Sequence, residues 1–258
     1  MRTESIAGPL PHLIAIVFSL VVVSASNAEP IAKKSVFPGV IGKDDRRVVE
    51  QQSSPWTAIG RVNIGGYSRT SHCTGTLITP RMVVTAAHCL VKKGSGKPHS
   101  TANIHFLPGA RGGRALAHGK AQCVRFAKSY RFDQPDPLKK FRTDVAIIIL
   151  REPLVVSPAP LMVDQVIGTR LPLQHLGYSR DSRYLLKRDS SCHLRGRQDG
   201  LWFTDCDTHF GGSGGPVFIK QNREPVLAAI MVGAIRNKHS VAVPIDQWRN
   251  LTAKESCP

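Results

Sequence analysis

The sequence predicts an all-β protein, two packed antiparallel six-stranded β-barrels with a short C-terminal helix. Three observations lead there. Short apolar segments recur along the 258 residues and are separated by turn residues. Glycine and proline are plentiful, 22 and 18, while aromatics make up 6%. No window reads as a long amphipathic helix. The length suits one large domain or two fused lobes.

The N-terminus comes first. Leu13 to Val23 is an apolar run far shorter than a membrane span. Ser26-Asn27-Ala28 follows, with small residues where a signal peptidase reads. Residues 1–28 are therefore expected to be a signal peptide cut before Glu29. Residues 29–40 read as a short propeptide ending near Gly39 or Val40, and 41–258 as the mature domain. Its N-terminal barrel is expected at about 41–155 and its C-terminal barrel at about 165–258, with the crossover between. The protein is expected to be secreted or periplasmic, monomeric, and without a stable membrane span after signal cleavage.

The strands follow in order. "WTAIGRVNI" (56–64) alternates, and "GTLIT" (75–79) and "MVVTA" (82–86) flank a Pro-Arg turn as a hairpin would. "NIHFLPG" (103–109) and "AQCVRFA" (121–127) continue the series. "DVAIIIL" (144–150) is an unbroken, β-branched apolar run, the pattern of a strand buried on both faces. "LPLQHLGYS", "YLLKRDSSC", "GLWFTDC", "GPVFIK", "PVLAAIMVG" and "VAVPI" complete about twelve strands. Only "DQWRNLTAK" (246–254) looks helical, with Asp246 as its N-cap.

The formal net charge is +17, carried by small pairs such as Lys33-Lys34, Arg46-Arg47, Lys92-Lys93 and Lys139-Lys140. Without a long basic block this describes a solvated basic surface. An acidic polymer is the one charged partner it leaves open. The aromatic interleaving of a single-strand platform is missing, so no specific nucleic-acid partner is expected. Six cysteines in an exported chain imply a disulfide framework, with 15 pairings open by arithmetic. No CxxC and no Cys/His cluster has zinc spacing, so neither a metal nor another cofactor is expected.

The chemistry centres on Ser213, which stands between Gly211-Gly212 and Gly214-Gly215. A serine hydroxyl needs a base to become a nucleophile, usually a histidine oriented by a third group. The G-x-S-x-G elbow of an esterase-type α/β fold requires an acid and then a histidine after the serine. Only His239 follows, no Asp lies between, and βα alternation is absent. The order His, Asp, Ser is available instead. "VVTAAHC" brings His88 to the end of a strand, and Asp144 stands at the mouth of the buried run.

"CTGTLITPRMVVTAAHC", "DVAIIIL" and "GGSGGPV" together resemble the chymotrypsin/trypsin-like serine proteases. "VIGKDDRR", "LGYSRD" and "CDTHFGGSGGP" are similar to the bacterial, glutamyl-endopeptidase-like branch, and the resemblance covers about residues 40–250. It implies a chymotrypsin-like fold and a serine endopeptidase acting on protein or peptide substrates. Ser213 would be the nucleophile, His88 the base and Asp144 its orienting acid. The N–H groups of Gly211 and Ser213 would form the oxyanion hole. The rival from another class is a catalytically silent binding protein that uses the same scaffold and its basic surface. The resemblance also implies a Cys73–Cys89 bridge. Cys192 and Cys206 flank a short hairpin-like segment and are expected to pair, which leaves Cys123 with Cys257.

Two departures from the family matter. Many animal relatives carry Asp before the nucleophile to bind a new N-terminus, whereas this chain has Gly212. The specificity pocket is open between readings, and its expected members are Asp207, Thr208, Ile230 and Met231. Asp207 stands where trypsin-like enzymes place the acid that selects Arg or Lys, but in the bacterial branch it is also read as structural. Glutamyl endopeptidases have a histidine near Ile230 or Met231, and here both positions are apolar. Thr208 and Ile230 would suit a medium hydrophobic residue. His72, His105, His118 and His209 are read as structural or exposed.

Overall fold

A computed structural model describes residues 39–50, 52–68, 72–163, 168, 170–235 and 238–257. The expected signal peptide and the leader before Gly39 lie outside the described residues.

The first half closes on itself. β2 (Ile59–Ile64), β3 (His72–Thr79), β4 (Met82–Thr85), β5 (Ile104–Pro108), β6 (Gly119–Phe126) and β7 (Ala146–Leu150) form a closed barrel in the order β2-β3-β4-β7-β6-β5. Val62 of β2 faces Cys73 on one side and Phe106 on the other, and this double pairing closes the ring. β7 is buried throughout, as its unbroken apolar run predicts. β2 alternates in sequence, yet its polar positions are covered too. The Arg61 guanidinium lies over the Tyr184 ring, and Asn63 Nδ2 donates to Tyr67 O at 2.7 Å.

The second half, expected as another six-stranded barrel, forms with β1 (Arg47–Val48) from the chain's beginning an eight-stranded sheet. Its members are β1 (Arg47–Val48), β8 (Gln174–Gly177), β9 (Lys187–Asp189), β10 (Leu194–Gln198), β11 (Leu201–Thr204), β12 (Pro216–Gln221), β13 (Glu224–Ile235) and β14 (His239–Pro244). They lie in the order β1-β9-β8-β12-β13-β14-β11-β10. The two strands missing from the sequence reading, β1 and β10, form its two edges. β10 reads "LRGRQ", with no apolar alternation to betray it. Its hairpin turn, Asp199-Gly200, has positive φ at both residues (52° and 74°), the dipeptide signal of a tight hairpin.

Between β7 and β8 the chain crosses over. Leu154 N–H donates to Pro80 O (2.8 Å) and Ala159 N–H to Leu77 O (2.9 Å), both on the barrel, and Met162 N–H then donates to Leu227 O (2.9 Å) on the sheet. One apolar core runs through both halves, with Trp248, Tyr178, Phe106 and Phe218 as its largest fully buried side chains.

The helix expected at 246–254 is instead two 3-10 turns, Ile245–Gln247 and Arg249–Thr252. Trp248 sits between them with its indole buried and its Nε1 donating to Val243 O at 3.2 Å. Docking that ring interrupts the helical path, and the Asp246 side chain caps nothing. The α-helix among the described residues is α1 (Pro137–Arg142), which the sequence reading passed over. The Asp136 carboxylate accepts from Leu138 N (2.9 Å) and Lys139 N (3.2 Å), with Pro137 in the first turn.

All six cysteines are paired, as Cys73–Cys89, Cys123–Cys257 and Cys192–Cys206. Sequence separations of 16, 134 and 14 set their expected contributions. In the chain-entropy account a short loop of this kind is worth about 3 kcal/mol and the long one about 5 kcal/mol. Replacing both Cys123 and Cys257 by Ser should therefore lower the unfolding free energy more than replacing Cys192 and Cys206. Urea unfolding of the two variants measures the difference, and equal losses would remove the loop-length explanation.

Candidate active site

β4 ends at Thr85, and a 3-10 turn, Ala87–Leu90, follows at once and carries His88. β4 pairs with β7, Thr85 opposite Ala146, so the residues entering β7 lie at the same end of the barrel. Asp144 stands there. Its main chain is held on both sides, Asp144 N–H donating to Phe141 O (3.0 Å) and Ala87 N–H to Asp144 O (3.2 Å). The buried carboxylate spends both oxygens on His88. Oδ1 accepts the backbone N–H at 2.7 Å and Oδ2 accepts Nδ1–H at 2.6 Å. A carboxylate that only accepts fixes the tautomer, so neutral His88 carries its proton on Nδ1 and a lone pair on Nε2. Burial disfavours the imidazolium, but the charge and hydrogen bond of Asp144 outweigh it and raise the His88 pKa, against smaller opposition from Lys140 and Lys93.

Ser213 arrives from the other half, on the loop that leads into β12. Thr74 of β3 receives that loop. Its N–H donates to Ser213 O at 2.9 Å, and its hydroxyl donates to Gly211 O at 2.8 Å. The same hydroxyl accepts Tyr178 N–H at 2.9 Å. The loop is braced from behind by Gly214 N–H to Met231 O (2.7 Å) and Gly212 N–H to His209 O (2.8 Å). Two glycines are required here. Gly214 has φ +80°, and a Cβ would fall 2.2 Å from both Thr74 O and Thr85 Oγ1. Gly211 has φ +95°, and a Cβ would fall 2.6 Å from Tyr178 O.

His88 and Ser213 line one open cleft of about 630 Å³. Among the described residues, neither the Gly211 N–H nor the Ser213 N–H donates to a protein acceptor. No hydrogen bond joins Ser213 Oγ to His88 there, an interaction that often tightens only with substrate bound. The ligand atoms of Cys73, His88 and Cys89 lie within 4.8 Å of one another, but both sulfurs are committed to a disulfide.

A family model described as Trypsin matches residues 44–251, most of the chain. The chain belongs to the trypsin family. It is 28% identical over 201 residues to a protein named glutamyl endopeptidase from Bacillus licheniformis, a match covering 75% of this chain and 59% of that one. It is 30% identical over 153 residues to a protein named trypsin from Simulium vittatum, covering 57% of this chain and 52% of that one. The chain thus spans little more than half the length of these curated relatives. A solved structure titled "Structure of Glu endopeptidase in complex with MPD" superposes with a TM-score of 0.69 at 20% identity, over 83% of this chain and 100% of that one. The fold is therefore shared with a member of the glutamyl-endopeptidase-like branch of the trypsin family.

The family's motif residues gather around the cleft, whereas the expected pocket residues do not line it. Asp207, Thr208, Ile230 and Met231 are all buried. The Asp207 carboxylate accepts Ile41 N–H on Oδ1 (2.7 Å) and Asp45 N–H on Oδ2 (2.8 Å), while Thr208 N–H donates to Gly39 O (2.9 Å). Burial pushes the Asp207 pKa up to about 6 despite those two N–H donors. Arg46 completes the attachment of this N-terminal segment, reaching Asp44, Asp181 and Ser179 from a buried position. His209, read as structural or exposed, is buried beside Asp181, with Nδ1 at 3.8 Å from its Oδ1. His72, placed in the same class, lines the cleft and bonds Tyr178 O through Nε2 at 2.9 Å.

Sequence reasoning missed Thr74 and His175. His175 is buried, with Nδ1 at 3.1 Å from Pro216 O and Nε2 at 3.1 Å from Thr208 Oγ1. The carbonyl can only accept, so Nδ1 donates and Nε2 takes the Thr208 hydroxyl proton. Burial lowers the His175 pKa to about 4. Between that value and the ordinary 6.5 the folded protein binds fewer protons than the unfolded chain. The contribution of His175 is thus fully present above pH 6.5 and lost as pH falls through about 4, a span of about 3 kcal/mol. Unfolding free energies measured from pH 7 to 4 should fall less steeply in His175→Gln than in the parent. Parallel slopes would show that His175 is not buried as a neutral ring.

Proposed function

We propose that the chain is an exported serine endopeptidase. Ser213 Oγ attacks the scissile carbonyl and its proton passes to His88 Nε2. Asp144 stabilises the resulting imidazolium and holds its tautomer. The N–H groups of Gly211 and Ser213 receive the oxyanion. His88 then gives its proton to the leaving amine, and water repeats the sequence on the acyl-enzyme. The observation that carries this reading is the double engagement of Asp144 by His88, at 2.7 and 2.6 Å, in the cleft that Ser213 shares. Export is supported by three disulfides, which belong in an oxidising compartment, and by the signal-like segment at 1–28. Among the described residues no helix is long and apolar enough to cross a membrane.

For the residue before the cut we propose a neutral side chain. Asp207 has both oxygens on backbone N–H groups, so it offers no free partner to arginine or lysine. Ile230 and Met231 are fully buried and apolar, so the histidine expected of glutamate recognition has no counterpart at these positions. Cleavage of a mixed peptide library should therefore occur mainly after apolar residues. Predominant cuts after Arg or Lys would make Asp207 the pocket acid after all.

A fluorophosphonate should label the mature chain and leave Ser213→Ala unlabelled. A folded, leader-free chain that does not label would point to the silent binding protein. The acid limb of kcat/KM should lie above the ordinary imidazole value of about 6.5, because Asp144 raises His88 and only the neutral ring accepts a proton. Asp144→Asn should lower kcat by about 10⁴-fold.

A further inference from the structure

The cleft beside Ser213 has a one-sided charge. Lys93, Arg180 and Arg183 line it together with His72 and His99, and among the described residues no carboxylate does. The buried Asp144, bonded to the cleft's His88, is committed to it through both oxygens. Asp181, next in sequence to Arg180, is turned to Arg46 and Lys187, at 3.1 and 2.9 Å. Among the described residues no carboxylate lies within 4.0 Å of Lys93, Arg180 or Arg183. Lys93 and Arg180 are exposed and Arg183 is half-buried, so their charge faces solvent and whatever enters the cleft. The Arg180 guanidinium is steadied 5.3 Å over the exposed Phe210 ring, which gives it a preferred place at the rim.

The direction of the cleft identifies what it would hold. The residues expected to receive the side chain before the cut, Asp207, Thr208, Ile230 and Met231, are absent from its lining. Its lining instead joins His88 and Ser213 to Gly211 and the Cys73–Cys89 bridge. With the residues expected before the cut outside it, this cleft is read as the leaving-group side. Three cations with no carboxylate within 4.0 Å among the described residues favour anionic side chains there and penalise cationic ones.

We propose that Lys93, Arg180 and Arg183 select substrates with aspartate or glutamate in the two or three residues following the scissile bond. This rests on the endopeptidase reading and deepens it. The substrates would be acidic polypeptides, chosen by charge on the leaving-group side rather than through Asp207.

The test uses internally quenched peptides that share one sequence before the bond and carry Asp, Asn or Lys at both of the next two positions. At about 50 mM salt the Asp peptide should exceed the Asn peptide at least tenfold in kcat/KM, and the Lys peptide should be poorer still. At about 0.5 M salt the preference should shrink to about two- to threefold. In Arg180→Gln/Arg183→Gln the Asp/Asn ratio should fall below about three at low salt. Lys220→Gln, a charge change outside the cleft lining, should keep the parent ratio. Because each ratio is taken within one enzyme, it is independent of the fraction of folded protein. Equal cleavage of the three peptides, or an unchanged ratio in the double variant, overturns the proposal while leaving the endopeptidase reading intact. If the parent cleaves none of them and takes no fluorophosphonate, that reading falls. Fluorescence anisotropy of Ser213→Ala with the same peptides, dye-labelled, then still decides whether the cleft prefers the Asp peptide.

Discussion

Everything proposed for this protein depends on one joint, the seating of the Ser213 loop on Thr74. His88 and Asp144 belong to the closed barrel, and Ser213 belongs to the second sheet. No covalent bond sets the distance between them directly. Thr74 does so with two donors and two acceptors. Its N–H and hydroxyl hold the carbonyls of Ser213 and Gly211, its hydroxyl accepts Tyr178 N–H, and its carbonyl accepts Thr85 Oγ1 at 2.7 Å. Thr74 is fully buried, so these bonds form without competition from water. Gly214 makes the approach sterically feasible, and the neighbouring Cys73–Cys89 bridge ties β3 to the turn that carries His88. A barrel strand, a disulfide and a glycine loop thus converge on a few ångströms of backbone.

The elements legible in the sequence are those whose signal is local. The β-branched apolar run at 144–150 reads as a doubly buried strand, and β7 occupies 146–150 of it, buried throughout. The Pro-Arg turn at 80–81 separates β3 from β4 as a hairpin should. The edge strands escaped because little in their own composition marks them: "LRGRQ" pairs with β11 across an Asp-Gly turn, and β1 lies in a segment held to Asp207 by its backbone and to Ser179 and Asp181 by Arg46. The C-terminal helix was misread for a related reason. Its capping and composition favour helix, but docking the Trp248 ring and its N–H against Val243 O outweighs that preference. At the candidate site, His88, Asp144 and Ser213 were visible as motif residues. Thr74 and His175 were not, because an isolated threonine or histidine within a strand carries no signal until its long-range partners are known.

Asp207 shows how one position can be diverted. Its place six residues before the candidate nucleophile suggests selection of a cation. The chain instead brings its own backbone there, with Ile41 and Asp45 occupying both oxygens. Those two bonds help place the "VIGKDDRR" segment, and with it β1, at the edge of the second sheet. The carboxylate expected to read the substrate anchors the N-terminal segment instead, and under the proposal recognition by charge would move to the cations lining the open cleft.

That move affects the chemistry as well as the selection. Lys93 lines the cleft and also opposes protonation of His88, together with Lys140. Asp144 more than compensates for burial and for both lysines, so the free site carries a base that is raised, with Lys93 the one proposed specificity cation that opposes it. A carboxylate arriving on the leaving-group side would neutralise part of that restraint just when the imidazolium must form. Acidic substrates would then gain mainly in binding to Lys93, Arg180 and Arg183, and secondarily through Lys93 in a base that charges more readily during attack. A neutral substrate of the same shape would receive neither effect, so under the proposal Lys93 is the residue through which recognition would reach the protonation of His88.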